Sequence, residues 1–190
     1  MILNLGCGGS RPVGSKWINI DDLHSQFPDA ECPERIAMDA EPNYLNHDIE
    51  TGLPYADNSV DGILASHLLE HFDCIFVVEL LKECRRVLKP GGVLRVSVPD
   101  PQKFHELTLA GCEDWGEPNK DPDPDATFMD YALFFYQHVQ LITKYAMFCM
   151  FYSAGFREYK EMEFSFTQLS GLADLDNRDK FSSFYEAVKV

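Results

Sequence analysis

The sequence predicts an α/β fold: a doubly wound, mostly parallel sheet in a three-layer α/β/α arrangement, with an antiparallel C-terminal strand. Three observations predict it. Runs that are apolar nearly throughout, "ILNL" at 2–5, "VDGILAS" at 60–66 and "VLRVSV" at 93–98, are spaced by helical or turn-rich stretches, and strands of that kind belong to parallel sheets covered on both faces. Glycines or carboxylates stand at the C-terminal ends of successive strands, at Gly6, Gly8, Gly9, Asp21, Asp22 and Asp100. Two late runs, "KEMEFSF" and "SSFYEAVK", follow each other without a helical pattern, so the sheet is expected to finish antiparallel.

Taken in order, "ILNL" reads as a buried strand stopped by a glycine turn, and "KWINI" as a second strand closed by Asp21 and Asp22. After a Pro- and Asp-rich connection come "NYLNHD", the turn "TGLPYADNS" and the strand "VDGILAS". From Cys74 to Leu88, apolar Val77, Leu80, Leu81, Cys84, Val87 and Leu88 follow helical spacing, with Asp73 as N-cap and Pro90-Gly91-Gly92 as the stop. The strand "VLRVSV" is broken by Pro99-Asp100-Pro101, and residues 101–111 have the pattern of a further helix. "EDWGEPNKDPDPDA" is an acidic, proline-rich loop, and a helical segment over residues 136–153 stops at Gly155. No internal repeat divides the chain, so residues 1–190 are expected to form one domain.

Composition narrows the function. The formal net charge of -15 repels phosphate backbones, which argues against nucleic acid as partner. Lys82, Arg85, Arg86 and Lys89 fall near a helix end, where cations suit the dipole. Six cysteines without a C-x-x-C pair favour a reducing, cytoplasmic setting over a disulfide framework. The longest apolar run, "YAMFCMFYSAGF", is too short to cross a bilayer, and no basic leader precedes the first apolar residues. No membrane partner is expected.

In doubly wound sheets, ligands bind beyond the C-terminal strand ends where the chain order reverses. Gly6, Gly8 and Gly9 let a backbone approach a ligand with no Cβ in the way. Asp21, at the end of the next strand, is placed to accept hydrogen bonds from both hydroxyls of a ribose, with Asp22 as the reserve. A second motif competes for attention. His67-Leu68-Leu69-Glu70-His71 spells H-x-x-E-H, which holds zinc when both histidines and the glutamate share a regular helix. Here His67 follows a strand directly and the Asp-capped helix begins only near residue 74, so no metal is expected from the motif.

The stretches "LNLGCGGS", "WINIDD", "HDIETGLPYADNSVDGILASHLLEHF", "ECRRVLKPGGVLRVSVPD" and "YSAGF" come in an order and spacing that resembles a class I S-adenosylmethionine-dependent methyltransferase, a small Rossmann-like domain. The resemblance is strong over residues 2 to 100 and looser beyond. It implies S-adenosyl-L-methionine as cofactor and a small-molecule or sugar-like methyl acceptor. By the same resemblance, Gly6, Cys7 and Gly8 match the turn against the methionine and ribose part of the cofactor, and Asp21 matches the ribose carboxylate. Asp48, with the Ile49 backbone, matches the group that reads the adenine edge. Ala65 and Ser66 fall where the backbone meets the cofactor's amino group, and His67 follows toward the methyl.

His67 and His138 are the candidate catalytic bases, each an imidazole able to take a proton from a hydroxyl acceptor. Glu70 and His71 read as braces of the loop. An aromatic band (Phe128, Tyr131, Phe134, Phe135, Tyr136, Tyr145, Phe148, Phe151 and Tyr152) surrounds His138. Most of it is expected in the core, with some faces free to favour a sulfonium. Two departures from the family pattern stand out. "GSRPVGSK" leaves room for only a turn where a full helix usually stands, and no helix precedes the first strand. The missing cover is expected from residues 101–136, acting as lid or substrate insertion. Two other readings compete: a module that binds the cofactor or its demethylated product without turnover, and a nicotinamide-dependent dehydrogenase, which "GCGGS" argues against because it is not G-x-G-x-x-G.

Overall fold

The structure, a computed structural model, describes residues 1–8, 14, 16–26, 33–109, 137–172 and 178–190. Seven strands form one sheet: β1 (Ile2–Leu5), β2 (Trp17–Asp21), β3 (Tyr44–Asn46), β4 (Val60–Ser66), β5 (Leu88–Pro99), β6 (Glu158–Met162) and β7 (Ser182–Val188). Their order is β3-β2-β1-β4-β5-β7-β6. The first five run parallel, β7 is antiparallel to β5, and β6 is antiparallel to β7. The doubly wound α/β architecture with an antiparallel finish is therefore the observed one. Chain order reverses between β1 and β4, and the C-terminal ends of both strands open at one edge, where such sheets bind ligands.

The helices are α1 (Leu23–Gln26), α2 (Pro33–Asp39), α3 (Cys74–Val87), α4 (Pro101–Leu109) and α5 (Lys144–Ser153), with 3-10 turns at Ile49–Thr51 and Leu69–His71. α3 starts where the sequence demands: Asp73 accepts from the N–H groups of Ile75 and Phe76 at 2.8 and 2.9 Å. It buries Val77, Leu80, Leu81, Cys84 and Val87, of which the valines and leucines each contribute roughly 1.5–3 kcal/mol on full burial. They join Leu3, Leu5, Ile63, Leu94 and Val96 from the sheet and Met147 and Phe151 from α5 in the main core. Two of the three basic side chains of α3 have acidic partners: Lys82 pairs with Glu79, and Arg86 with Glu83 and Asp57. No helix among the described residues is long and apolar enough to cross a membrane.

The other face of the sheet is covered differently. Ile2, Leu64 and Val93 pack against Leu169 and Leu172, and a Cβ added at Gly62 would stand 2.4 Å from Leu169 Cδ2. Beside them lies a fully buried ion pair, Arg95 with Glu186 at 3.0 Å. Arg95 also donates to the carbonyls of Phe166 and Glu163, and Glu186 accepts from the Gln168 N–H. The segment that follows β6 is thus held on the sheet by a buried charge pair whose remaining valences it satisfies.

Several expected boundaries move. The helix foreseen over 136–153 begins only at Lys144, where Thr143 caps it by accepting from the Ala146 N–H at 3.2 Å. Residues 137–143 run without regular structure because the N–H groups of Val139 and Gln140 are taken by the Glu70 carbonyl. Pro90-Gly91-Gly92 lies inside β5 rather than stopping α3, since Leu88 is already extended and pairs with Val60. β6 starts earlier than "KEMEFSF" and ends at Met162. Tyr145 and Tyr152 are exposed and stand outside the core, while Phe151 is buried. Phe128, Tyr131, Phe134, Phe135 and Tyr136, and most of the expected lid, lie outside the described residues.

Candidate active site

The carboxyl ends of β1, β2, β3 and β4 enclose a cleft of about 390 Å³ lined by Gly6, Asp21, Asp48, Ile49, His67 and Leu68, among others. Its volume is that of a small-molecule site. Gly6 turns the chain out of β1 with φ +60, a left-handed backbone open to glycine at little cost. A Cβ there would stand 2.5 Å from Leu68 Cδ1, so the turn and the loop after β4 touch through the space a side chain would fill.

The same turn meets β2. The Cys7 N–H donates to the Ile20 carbonyl at 3.3 Å, and the Gly8 N–H donates to Asp21 Oδ2 at 2.7 Å. Asp21 is thereby fixed against the glycine turn through one of its two carboxylate oxygens. Two residues past the end of β3, Asp48 Oδ1 accepts from the Glu50 N–H at 2.8 Å and starts the 3-10 turn at Ile49. Its cap role and its place in the cleft are compatible, since a carboxylate has a second oxygen.

The structure brings Gly6, Asp21, Asp48, Ile49 and His67 to the cleft wall. Cys7 is buried beneath the turn, and Gly8 serves Asp21. Ala65 is buried, and Ser66 Oγ lies 2.8 Å from Ser97 Oγ; neither is among the lining residues, which begin one position later at His67. His138 sits behind the cleft, buried beside His71, with the two rings edge to face at 5.0 Å.

His67 leaves the strand with φ +51 while its N–H donates to the Ser97 carbonyl at 2.9 Å. Its ring is held at both nitrogens: Nδ1 lies 3.2 Å from Glu70 Oε1, and Nε2 lies 2.8 Å from Ser182 Oγ. A carboxylate at Nδ1 selects the tautomer that carries its proton there, which makes Nε2 the acceptor. Ser182 is fully buried, so the Glu-His-Ser line is not a nucleophile open to substrate. Burial pushes the His138 imidazole down to about 4 against the pull of Glu70, with His71, His67 and Arg178 adding to the drop. His138 is therefore neutral at physiological pH and a weak proton acceptor.

Two contributors escaped the sequence reading. Glu70, taken as a brace, is the hub on which His67, His71 and His138 converge; a glutamate amid "SHLLEHF" was the available signal. Ser182 gave no local signal, since only strand order carries it to His67.

A family model described as a methyltransferase domain matches residues 3–96. A malonyl-[acyl-carrier protein] O-methyltransferase from Dechloromonas aromatica is 34% identical over 119 residues, 57% of this chain and 40% of that protein. A malonyl-[acyl-carrier protein] O-methyltransferase 1 from Coxiella burnetii is 42% identical over 57 residues, 30% of this chain and 20% of that protein. The chain thus matches less than half the length of either. A SAM-dependent methyltransferase from Archaeoglobus fulgidus superposes with a TM-score of 0.59 at 19% identity, covering 99% of this chain and 85% of that one. One from Thermotoga maritima gives 0.63 at 21% identity, covering 100% and 81%. At such identities these structures speak for the fold.

Proposed function

We propose that this chain, whose residues 3–96 match a methyltransferase-domain model, is a class I S-adenosylmethionine-dependent methyltransferase that methylates a small-molecule or sugar-like acceptor at a nucleophilic oxygen, nitrogen or carbon. The names of the two malonyl-[acyl-carrier protein] O-methyltransferases add carrier-bound carboxylates to the acceptor classes to be tried. The observation that carries the reading is the cleft itself: a glycine turn with no room for a Cβ, flanked by one carboxylate at the end of β2 and one just past β3.

The residues fit the cofactor. Gly6, Cys7 and Gly8 pack against its methionine and ribose part, Asp21 accepts from the ribose hydroxyls, and Asp48 with the Ile49 backbone takes the adenine edge. Ala65 and Ser66 set the backbone beside the amino group. Bound there, S-adenosylmethionine supplies a methyl group on a sulfonium, already a good leaving group, so alignment and exclusion of water provide most of the acceleration. His67 takes the proton of an acceptor that arrives as a hydroxyl. Among the described residues, Cys74, Cys84 and Cys149 carry free thiols, Cys74 and Cys149 exposed, which supports a reducing, cytoplasmic setting.

Calorimetry with S-adenosylhomocysteine and with a nicotinamide dinucleotide, followed by transfer of labelled methyl to pools of hydroxylated and carboxylated acceptors, tests this. Binding of S-adenosylhomocysteine with labelled product is the expected result. Binding without product in any pool supports the non-catalytic module instead, and preference for the dinucleotide overturns both.

A further inference from the structure

Glu70 is buried to 1% exposure beside an active cleft. Its Oε1 faces His67 Nδ1 at 3.2 Å, but Oε2 is fully buried with no hydrogen-bond partner among the described residues. An unsatisfied buried carboxylate oxygen is costly, and it persists where a partner is to be received. Two further imidazoles stand around the carboxylate, His138 Nε2 at 4.0 Å from Oε1. His71 lies on the same 3-10 turn as Glu70. His138 comes from 67 positions further along, and its segment is tied to that turn: the Val139 N–H donates to the Glu70 carbonyl at 2.8 Å, and Gln140 Nε2 to the Phe72 carbonyl at 2.7 Å. One ligand atom from each of Glu70, His71 and His138 lies within 4.8 Å of the other two.

We propose that Glu70, His71 and His138 form a binding site for a divalent transition-metal ion, zinc by its ligand chemistry, at the wall of the cofactor cleft. Two imidazoles and one carboxylate are a three-ligand set that leaves a fourth position open. Tetrahedral donors at about 2.0–2.2 Å from zinc stand roughly 3.3–3.6 Å apart, so the three groups must close by about 1 Å, within reach of side-chain torsions. His71, the exposed member, lines the cleft and turns the open position toward the acceptor. This part rests on the reading that the acceptor enters beside His67: the ion holds an acceptor oxygen and lowers its pKa, which favours hydroxyl and carboxylate acceptors over amines. The set is not the H-x-x-E-H arrangement, because His67 leaves the helical course with φ +51 and is bound to Ser182. His138 takes its place.

The test uses the full chain, stripped with a chelator and titrated with zinc chloride against a competing colorimetric chelator. One zinc per chain is expected, with Glu70→Gln and His138→Gln each weakening it by about 10²-fold or more, and His67→Ala, which removes only a hydrogen bond to the Glu70 carboxylate, weakening it less, by about tenfold. Circular dichroism of each variant checks that it folds. Cobalt(II) added to the wild-type protein reads the donors without any variant: visible bands of a four-coordinate nitrogen–oxygen site are expected. Absence of stoichiometric zinc, a thiolate charge-transfer band, or affinity untouched in both folded ligand variants overturns the site. S-adenosylhomocysteine calorimetry on the stripped protein separates the two readings: binding there with no zinc uptake removes the metal site alone, and zinc uptake without cofactor binding removes the cofactor assignment alone.

Discussion

His67 Nε2 lies 2.8 Å from Ser182 Oγ although 115 positions separate the two residues. Because β7 runs antiparallel to β5, it begins at the edge where the parallel strands end, and Ser182 pairs with Pro99 there. If His67 is the base, His67→Ala lowers turnover of a hydroxyl acceptor by roughly 10²- to 10⁴-fold and leaves cofactor affinity nearly unchanged. Ser182→Ala, which releases Nε2, keeps turnover within about tenfold of wild type, far less than loss of the base costs. Steady-state kinetics and calorimetry on both variants check this. Unchanged turnover in His67→Ala removes the base assignment.

Gly6→Ala is expected to close the cleft at its tightest point. The new Cβ meets Leu68 Cδ1 at 2.5 Å, and the φ of +60 strains any other residue, by roughly 1–2 kcal/mol for an L side chain. Affinity for S-adenosylhomocysteine should fall more than about tenfold, the equivalent of 1.4 kcal/mol. Adding Leu68→Ala relieves the clash but not the backbone strain, so the double variant should recover only part of the loss. Full recovery would show the turn's conformation to be unimportant.

The two cleft carboxylates should separate by variant. Asp21→Ala removes an acceptor for ribose hydroxyls and the anchor of the Gly8 N–H, at a cost of roughly 1.5–3 kcal/mol in cofactor binding. Asp48→Ala weakens the adenine contact and also loses the cap of the turn at Ile49, so the unfolding temperature should drop as well, by the equivalent of about 0.5–2 kcal/mol. Titration calorimetry and thermal unfolding read both effects. Wild-type affinity in both variants would place the cofactor elsewhere.

The Arg95–Glu186 pair, fully buried with its carbonyl partners, should be intolerant of single loss. Removing Glu186 alone leaves a guanidinium without its counter-charge, and Glu186→Ala is expected to destabilise the fold by about 3–5 kcal/mol. The double variant Arg95→Met, Glu186→Leu should be less destabilised than either single change. Urea unfolding of the four proteins completes the cycle, and simple additivity would mean that the two charges do not depend on each other.

Much of the frame was legible because its causes are local. "VDGILAS" became β4 residue for residue, Asp73 caps α3, and Gly6 and Asp21 meet in one cleft. Apolar periodicity, a capping side chain and a glycine that must turn left-handed all act within a few residues, so they are written in short stretches. The late start of α5 was not legible, since the residues before Lys144 are drawn to the Glu70 carbonyl, 69 and 70 positions away.

The sequence by itself determined the alternation of strands and helices, the glycine turn and the carboxylates at strand ends. Tertiary structure alone decided that Glu70 would be buried between His67 and His138, that Ser182 would reach His67, and that Arg95 would find Glu186. The physical reason is strand order. Placing β7 antiparallel beside β5 sets the register that pairs Arg95 with Glu186 and Ser182 with Pro99, and no periodicity within either segment encodes which neighbour the sheet will give it.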